Sequence, residues 1–446
     1  MPWEALLPFS PTYLDGLFGD PEIAAHVGAP AAIRSMLDVE GRLAKVEGAL
    51  GIIPVASAEA IAAAADVLEI DLGELALATA RDGVPVPELV SRLRNAVGTV
   101  HADHVHVGPT SQDVVDTAFV LTSRSALAIL DARLEALVEA IAGLAEEHMR
   151  TLMAARTRFQ VASPTTFGLK AAGWALPLHR HRSRLAELGR RLFSLSFAGA
   201  SGTLASLGPS GPAVEAALAG ELGLAVPAGS WHSARDNLAE LGGWLALVTG
   251  SLGKIGLDLL LLAQNEVGEV SLGAGGASST MPHKANPIEA EGLVSLARVN
   301  ADRASSLHHA MLHAQERDGA AWASEWMILP EMMVAAGAAT RLATRLVEVL
   351  RVDAGRMAAR LSEPPGLLLS EPAVASLAQA MPRHEAVSLV RAAAARARER
   401  QMTLIDVLEE SLGPIVDWHR LRSMQETLDA AALRTRRILN ELRQPL

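Results

Sequence analysis

Cysteine is absent from the 446 residues, which excludes disulfides, thiol nucleophiles and thiolate metal sites. Aromatic residues are scarce, with one Tyr, seven Phe and seven Trp. Ala and Leu dominate instead, and that balance favours closely packed long helices over sheets, whose strands prefer β-branched and aromatic side chains. Positive charge is not in excess. The net charge of −11 argues against nucleic-acid binding by bulk electrostatics, so an anionic ligand must be held by a local cationic cluster. Long hydrophobic runs are also lacking. The run from Leu257 to Ala263 is short and flanked by Lys254, Asp258 and Glu266, which predicts a core helix rather than a membrane span. Met1-Pro2-Trp3-Glu4 opens no basic segment followed by an apolar core, so no secretory signal is expected and a soluble cytoplasmic protein is the default.

What is present is helical periodicity. The length allows roughly two to four domains, and the pattern divides into an N-terminal helical segment (1–109), a central long-helix bundle (110–351) and a C-terminal helical segment (352–446). Helices are expected over 31–50, 57–67 and 86–97, then over 112–149, which at about 1.5 Å per residue is a rod of roughly 50 Å. A helix is expected to resume after the 155–168 stretch and to run through Trp174 toward Phe193 with Pro177 as a kink, and others over 213–222, from Asp236 to about Val270, and over 287–314 and 323–350. Ile255 to Leu262 is apolar nearly all round, which calls for burial on every side. Another copy of the chain is the expected cover.

Polar stretches interrupt these rods at 101–117, 155–168 and 273–291, with Gln315-Glu316-Arg317-Asp318 after them. Rods of this length cannot easily gather all those ends within one subunit. Antiparallel packing of copies can, so composite sites at subunit contacts are expected. The stretch 273–291 combines glycines, neutral donors (Ser278, Ser279, Thr280, Asn286) and ionisable His283 and Lys284 between Pro282 and Pro287. Such a mixture suits a carboxylate. Thr110 or Ser111 is a natural N-cap for the next helix. Asp113 and Asp116 fall in its first turn, where carboxylates favour the dipole, which points to a structural role. His101-x-x-His104-x-His106 resembles a metal spacing only superficially. His179-Arg180-His181-Arg182 reads as a solvated helix face, and Trp322 and Trp326, one turn apart, as core or site wall.

Met281-Pro282-His283-Lys284-x-Asn286-Pro287 matches the signature of the fumarase/aspartase superfamily, and the resemblance extends over nearly the whole chain. The glycine before the serine pair is Ala277 here. Thr110-Ser111-Gln112-Asp113, Gly202-Thr203-Leu204-Ala205-Ser206-Leu207-Gly208, Trp231-His232-Ser233-x-Arg235-Asp236 and the stretch from Glu316-Arg317 through Trp322 to Glu331 resemble its carboxymuconate cycloisomerase branch. Anti-eliminating members of the superfamily carry Arg-Thr-His-x-Gln. This chain has Arg156-Thr157-Arg158-Phe159-Gln160, and an arginine is a poor proton shuttle but a good carboxylate clamp.

The resemblance implies an all-α, three-domain fold with a central long-helix bundle, a homotetramer with composite active sites, and an intramolecular lyase that needs no metal or redox cofactor. It implies a small polycarboxylate substrate, with neither nucleic acid nor membrane as partner. By the same resemblance Ser278 transfers the proton, Lys284 polarises a carboxylate and Arg158 stands where relatives keep the histidine. His106, Thr110, Ser111, Gln160, Arg156, Ser279, Met281, Asn286 and Arg317 line the substrate, and Glu291 is a candidate to orient Arg158. Competing expectations are an adenylosuccinate lyase-like β-elimination, a cycloisomerase acting on a sulfonated muconate, and a catalytically silent helical scaffold. The intact Ser278, Lys284 and Asn286 argue against the last.

Overall fold

A computed structural model describes residues 12–273, 275–276, 280–281, 284–362 and 365–444. The described chain is helical apart from four short strands, which form two antiparallel pairs. Its longest helices are Ser111–Glu147, Phe167–Leu192, Asp236–Leu262, Ile288–Ala310 and Gly319–Val349. The chain separates into two compact units. The first comprises the residues up to Arg133 with His181–Gly253 and Gly292–Leu342. The second comprises Leu134–Arg180, Lys254–Glu291 and the residues from Ala343 onward.

In the first unit the helix Ala29–Ala49 packs along Val55–Val67. Small residues set the spacing. A Cβ on Gly48 would lie 2.5 Å from the Ala58 Cβ, and one on Gly41 would lie 3.1 Å from the Ala65 Cβ. The buried stripe of Ala29–Ala49 is not wholly apolar, because Glu40 and Glu47, two turns apart, lie within it. The helix Val86–Val97 begins after Pro85, with Pro87 near its start, and stops at Gly98 with φ 74°. Proline tolerates a helix's first turn, and glycine adopts the positive φ that ends one.

In the second unit, residues 155–168 are not a plain polar interruption. Leu152–Thr157 and Gln160–Thr166 pair as a hairpin with a register shift between Ala154 and Arg156. Arg158 (φ 50°) and Phe159 (φ 63°) form its two-residue turn, and positive φ at both turn positions matches the twist of the flanking strands. Ala154 of this hairpin belongs to an apolar core completed by Leu377, Ala386, Val390, Ala393, Leu404 and Trp418 from the C-terminal helices.

The helix expected to run to about Val270 ends at Leu262, and Val270–Leu272 is instead a strand paired with Leu350–Val352. That pairing fixes where the 273–291 stretch begins. Its base is closed by Gly276 and Asn286, each donating its N–H to the other's carbonyl at 2.8 and 2.9 Å. Glycine is required here by close approach. A Cβ on Gly276 would fall 1.9 Å from Ile288 Cδ1, and Gly275, at φ 64°, has the Ala285 backbone 2.8 Å from its Cβ position.

One surface expectation is corrected. His179 and His181 are buried. His181 Nε2 lies 2.8 Å from Ser251 Oγ, its carbonyl accepts from Trp244 Nε1 at 2.8 Å, and Arg182 pairs with Asp131 at 2.9 Å. The helix Asp236–Leu262, remote in sequence, supplies the cover. That helix is long and apolar enough to cross a membrane by length and composition, and half of its most apolar window is buried inside the chain. Leu247 and Leu257 remain about half exposed on it.

Candidate active site

The expected site residues fall into two groups, one in each unit. In the first unit they gather where the helix Ser111–Glu147 begins. Asp113 fastens this end: its carboxylate accepts the N–H groups of Thr110, Ala198 and Gly199, each at 2.9 Å, and pairs with His232 Nε2 at 2.6 Å. Asp113 is thus structural, holding the helix start and the 198–199 turn together. Gly108 (φ 98°) lies in the same loop, against Leu207, where a Cβ would meet the leucine side chain at 2.7 Å.

Gln112 is fully buried, and both ends of its amide are used. Its Nε2 donates to the His232 carbonyl at 2.9 Å and to Asp116 Oδ2 at 3.2 Å, and its Oε1 accepts from Arg317 Nε at 2.8 Å. Arg317 also donates to the Ala200 carbonyl at 3.3 Å. Among the described residues no carboxylate pairs with Arg317, which is half-buried. Its charge is oriented by neutral oxygens and remains unmatched, the state in which a guanidinium binds an incoming carboxylate.

Below this lies a buried ionic cluster. Arg235, 2 % exposed, donates to Asp116 at 2.6 and 3.1 Å and to Glu325 at 3.0 and 2.5 Å. Burial lowers the Arg235 pKa, but the two carboxylates outweigh it and hold the guanidinium charged. Burial likewise pushes the Glu325 carboxyl up, against the pull of Arg235. Trp322 Nε1 donates to Asp116 at 2.9 Å and its ring meets Trp326 edge-on at 4.5 Å, so Trp322 is core with a polar duty. His313 lies 3.7 Å from Glu325. Burial and Arg235 press its pKa down.

His106 stands four residues before Thr110 at φ 64°, with Nδ1 2.6 Å from Glu40 Oε1. Burial lowers its pKa, the charge and hydrogen bond of Glu40 raise it, and the net direction is upward. His101 Nδ1 lies 3.0 Å from Ser57 Oγ, and among the described residues no group of three His, Asp or Glu side chains has metal-holding geometry.

In the second unit, Arg156, expected either as a substrate clamp or in a structural ion pair, has a partner within the chain. It is bidentate to Glu269 at 2.7 and 2.8 Å, and Glu269 is 1 % exposed, so this charge is already matched inside the chain. Arg158 and Gln160 are exposed at the hairpin tip. Lys284 and Met281 are exposed, with the Lys284 N–H donating to the Met281 carbonyl at 3.0 Å, and Asn286 is half-buried at the loop base. Glu291 is exposed in the first turn of Ile288–Ala310. Ser278 and Ser279 lie outside the described residues, as does His283.

Glu40, Gln112, His232, Arg235 and Glu325 received no role from the sequence. For Glu40 a signal existed: a carboxylate on the apolar stripe of an amphipathic helix needs a buried partner.

Residues 29–299 match the family model described as lyase. The 3-carboxy-cis,cis-muconate cycloisomerase of Pseudomonas aeruginosa is 44 % identical over 384 residues, 85 % of this chain and 84 % of that one. Among solved structures, the 3-carboxy-cis,cis-muconate lactonizing enzyme of Pseudomonas putida superposes with a TM-score of 0.90 at 36 % identity, covering 97 % of this chain and 99 % of that one. The β-carboxy-cis,cis-muconate cycloisomerase of Acinetobacter calcoaceticus gives 0.90 at 29 % identity, over 96 % and 100 %.

Proposed function

The chain belongs to the lyase family, within the fumarase/aspartase superfamily, and on that premise we propose that it is a 3-carboxy-cis,cis-muconate cycloisomerase, forming 4-carboxymuconolactone in the protocatechuate branch of aromatic degradation. The observation that carries this reading is that relatives aligned over most of the chain share that name. The unmatched guanidinium of Arg317 supports it, because a tricarboxylate needs such clamps.

In the reaction one terminal carboxylate oxygen attacks the carbon that bears the extra carboxyl group. The π electrons of that double bond move onto the neighbouring carbon, alpha to the other terminal carboxylate, and a proton joins it there. One carbon–oxygen bond and one carbon–hydrogen bond form, one π bond is lost, and a trianion plus a proton becomes a lactone dianion. The nucleophile is part of the substrate, so orientation carries a large share of the rate. Arg317, Lys284 and Asn286 clamp carboxylates and stabilise the enolate-like charge. Thr110, Ser111, Gln160, Ser279 and Met281 complete the lining with His106. Ser278 delivers the proton. Arg158, for which the described residues hold no acidic partner, is the hairpin's clamp, while Arg156 with Glu269 braces the strand that carries it.

We further propose that the chain works as a cytoplasmic homotetramer, with 1–109, 110–351 and 352–446 as its three segments. Copies meet along the long helices, where Leu247 and Leu257 are exposed, and each site draws residues from different copies. The test is to mix the protein with 3-carboxy-cis,cis-muconate and follow loss of diene absorbance, with adenylosuccinate in parallel. Loss of the diene supports the reading; an unchanged diene or cleaved adenylosuccinate overturns it.

A further inference from the structure

We propose that Glu40 is the positioning residue for His106, gripping Nδ1 so that the ring stays doubly protonated and offers its Nε2–H to a carboxylate of the bound substrate. This rests on the polycarboxylate reading above and assigns a part to a residue far from every motif that led to it.

Glu40 is 3 % exposed on the face of Ala29–Ala49 that packs inward. A carboxylate there is costly unless paired. Its Oε2 has no hydrogen-bond partner among the described residues, and its Oε1 meets His106 Nδ1 at 2.6 Å, the length of a charge-assisted bond. The histidine cannot easily turn away. Its own backbone is left-handed at φ 64°, a region non-glycine residues rarely adopt. The loop around it is pinned on three sides: Arg94 Nη2 donates to the Val105 carbonyl at 3.2 Å, Ser206 Oγ to the Gly108 carbonyl at 3.4 Å, and the Thr110 N–H to Asp113 at 2.9 Å. The side chain is 17 % exposed. With Nδ1 occupied, Nε2 is the nitrogen left to meet a ligand beside Thr110 and Ser111.

The surrounding charges agree. Glu40 and Asp113 favour the imidazolium, and Arg94 on Val86–Val97 opposes it. Glu47, the other acid on the Ala29–Ala49 stripe, is pushed up to about 8 by burial and by the charge of Glu40, and so is neutral at pH 7. A neutral imidazole donating from Nδ1 to Glu40 would present only a lone pair at Nε2, which repels a carboxylate. The imidazolium presents a donor.

The experiment compares Glu40→Gln, Glu40→Asp, His106→Asn and the double variant Glu40→Gln/His106→Asn in the full-length protein. Nitrogen-15 imidazole spectra are followed across pH 6 to 9, the His106 signal being assigned by its loss in His106→Asn. His106 is expected to stay protonated to higher pH in the parent than in Glu40→Gln. With 3-carboxy-cis,cis-muconate, Glu40→Gln is expected to raise KM about tenfold at pH 8 with little change in kcat, in line with loss of one charge-assisted bond. The defect should shrink as pH is lowered toward the point where the ring in Glu40→Gln takes up its own proton, which the nitrogen-15 titration locates. Glu40→Asp should recover part of the loss, and the double variant should be no worse than His106→Asn. An unshifted His106 titration in Glu40→Gln overturns the proposal, as does a loss that is the same with the Glu40→Gln ring protonated and neutral, or additive in the double variant. If the parent turns over no substrate, the cycloisomerase reading fails, while the titration still decides whether Glu40 holds His106 protonated.

Discussion

Arg317 Nε donates to Gln112 Oε1 at 2.8 Å, joining side chains 205 positions apart. Gln112 spends its other amide atoms on Asp116 and the His232 carbonyl. The guanidinium is therefore aimed by a neutral group that is itself locked in the core. Gln112→Leu keeps the volume, removes the acceptor and leaves Arg317 charged but unaimed. The expected outcome is a rise in KM of roughly 10- to 100-fold with a smaller effect on kcat, the worth of a hydrogen bond to a charged group. Arg317→Ala should cost more, and steady-state kinetics on the two variants give the order.

The Gly276–Asn286 bridge makes a second prediction. Gly276→Ala drives a methyl group into Ile288 Cδ1, an overpacking of about 1–3 kcal/mol that falls on the base of the lysine loop. Turnover should drop by an order of magnitude or more, with only a small fall in melting temperature. Adding Ile288→Ala should restore part of the activity, because the clash is with that side chain. A double variant as inactive as the single would locate the defect elsewhere.

Glu47 sets a pH dependence. Its carboxyl is pushed from 4.5 up to about 8 by burial and Glu40. Between those values the folded chain holds a proton that the unfolded chain has released. Stability from this group is full below the lower value and falls as pH rises, at most about 1.4 kcal/mol per unit, until the folded group ionises. Glu47→Gln should flatten that slope and melt above the parent at pH 8, with the gap closing toward pH 5. Thermal melts at three pH values measure it.

Arg235 balances two buried carboxylates. Arg235→Met leaves Asp116 and Glu325 facing each other unpaired, and breaking such a cluster costs about 3–5 kcal/mol. A clear drop in melting temperature is expected, and because Asp116 also holds Gln112, the KM should worsen even in protein that remains folded.

How far the sequence leads depends on whether a feature is local. The helix Val86–Val97 is predicted to the residue because Pro85 and Gly98 punctuate it. The long helices fall within a few residues at most ends, since their periodicity runs many turns; the Asp236 helix, read through to Val270, ends at Leu262. The hairpin at 152–166 is missed because its polar strands show no clean alternation, and only pairing across the turn defines it. The burial of His181 is missed because Trp244 and Ser251 arrive from another helix. The site divides in the same way. Arg317 and the lysine loop carry motifs, whereas the partners that aim or neutralise them, Gln112 for Arg317 and Glu269 for Arg156, meet only through tertiary packing.

The most direct measurement is the reaction in deuterated water, followed by proton NMR on 3-carboxy-cis,cis-muconate. The expected product is a carboxymuconolactone carrying one deuterium on the carbon alpha to the terminal carboxylate, with one deuteron taken up per turnover. An unchanged diene, or an open-chain product with no new ring carbon–oxygen bond, would contradict the account.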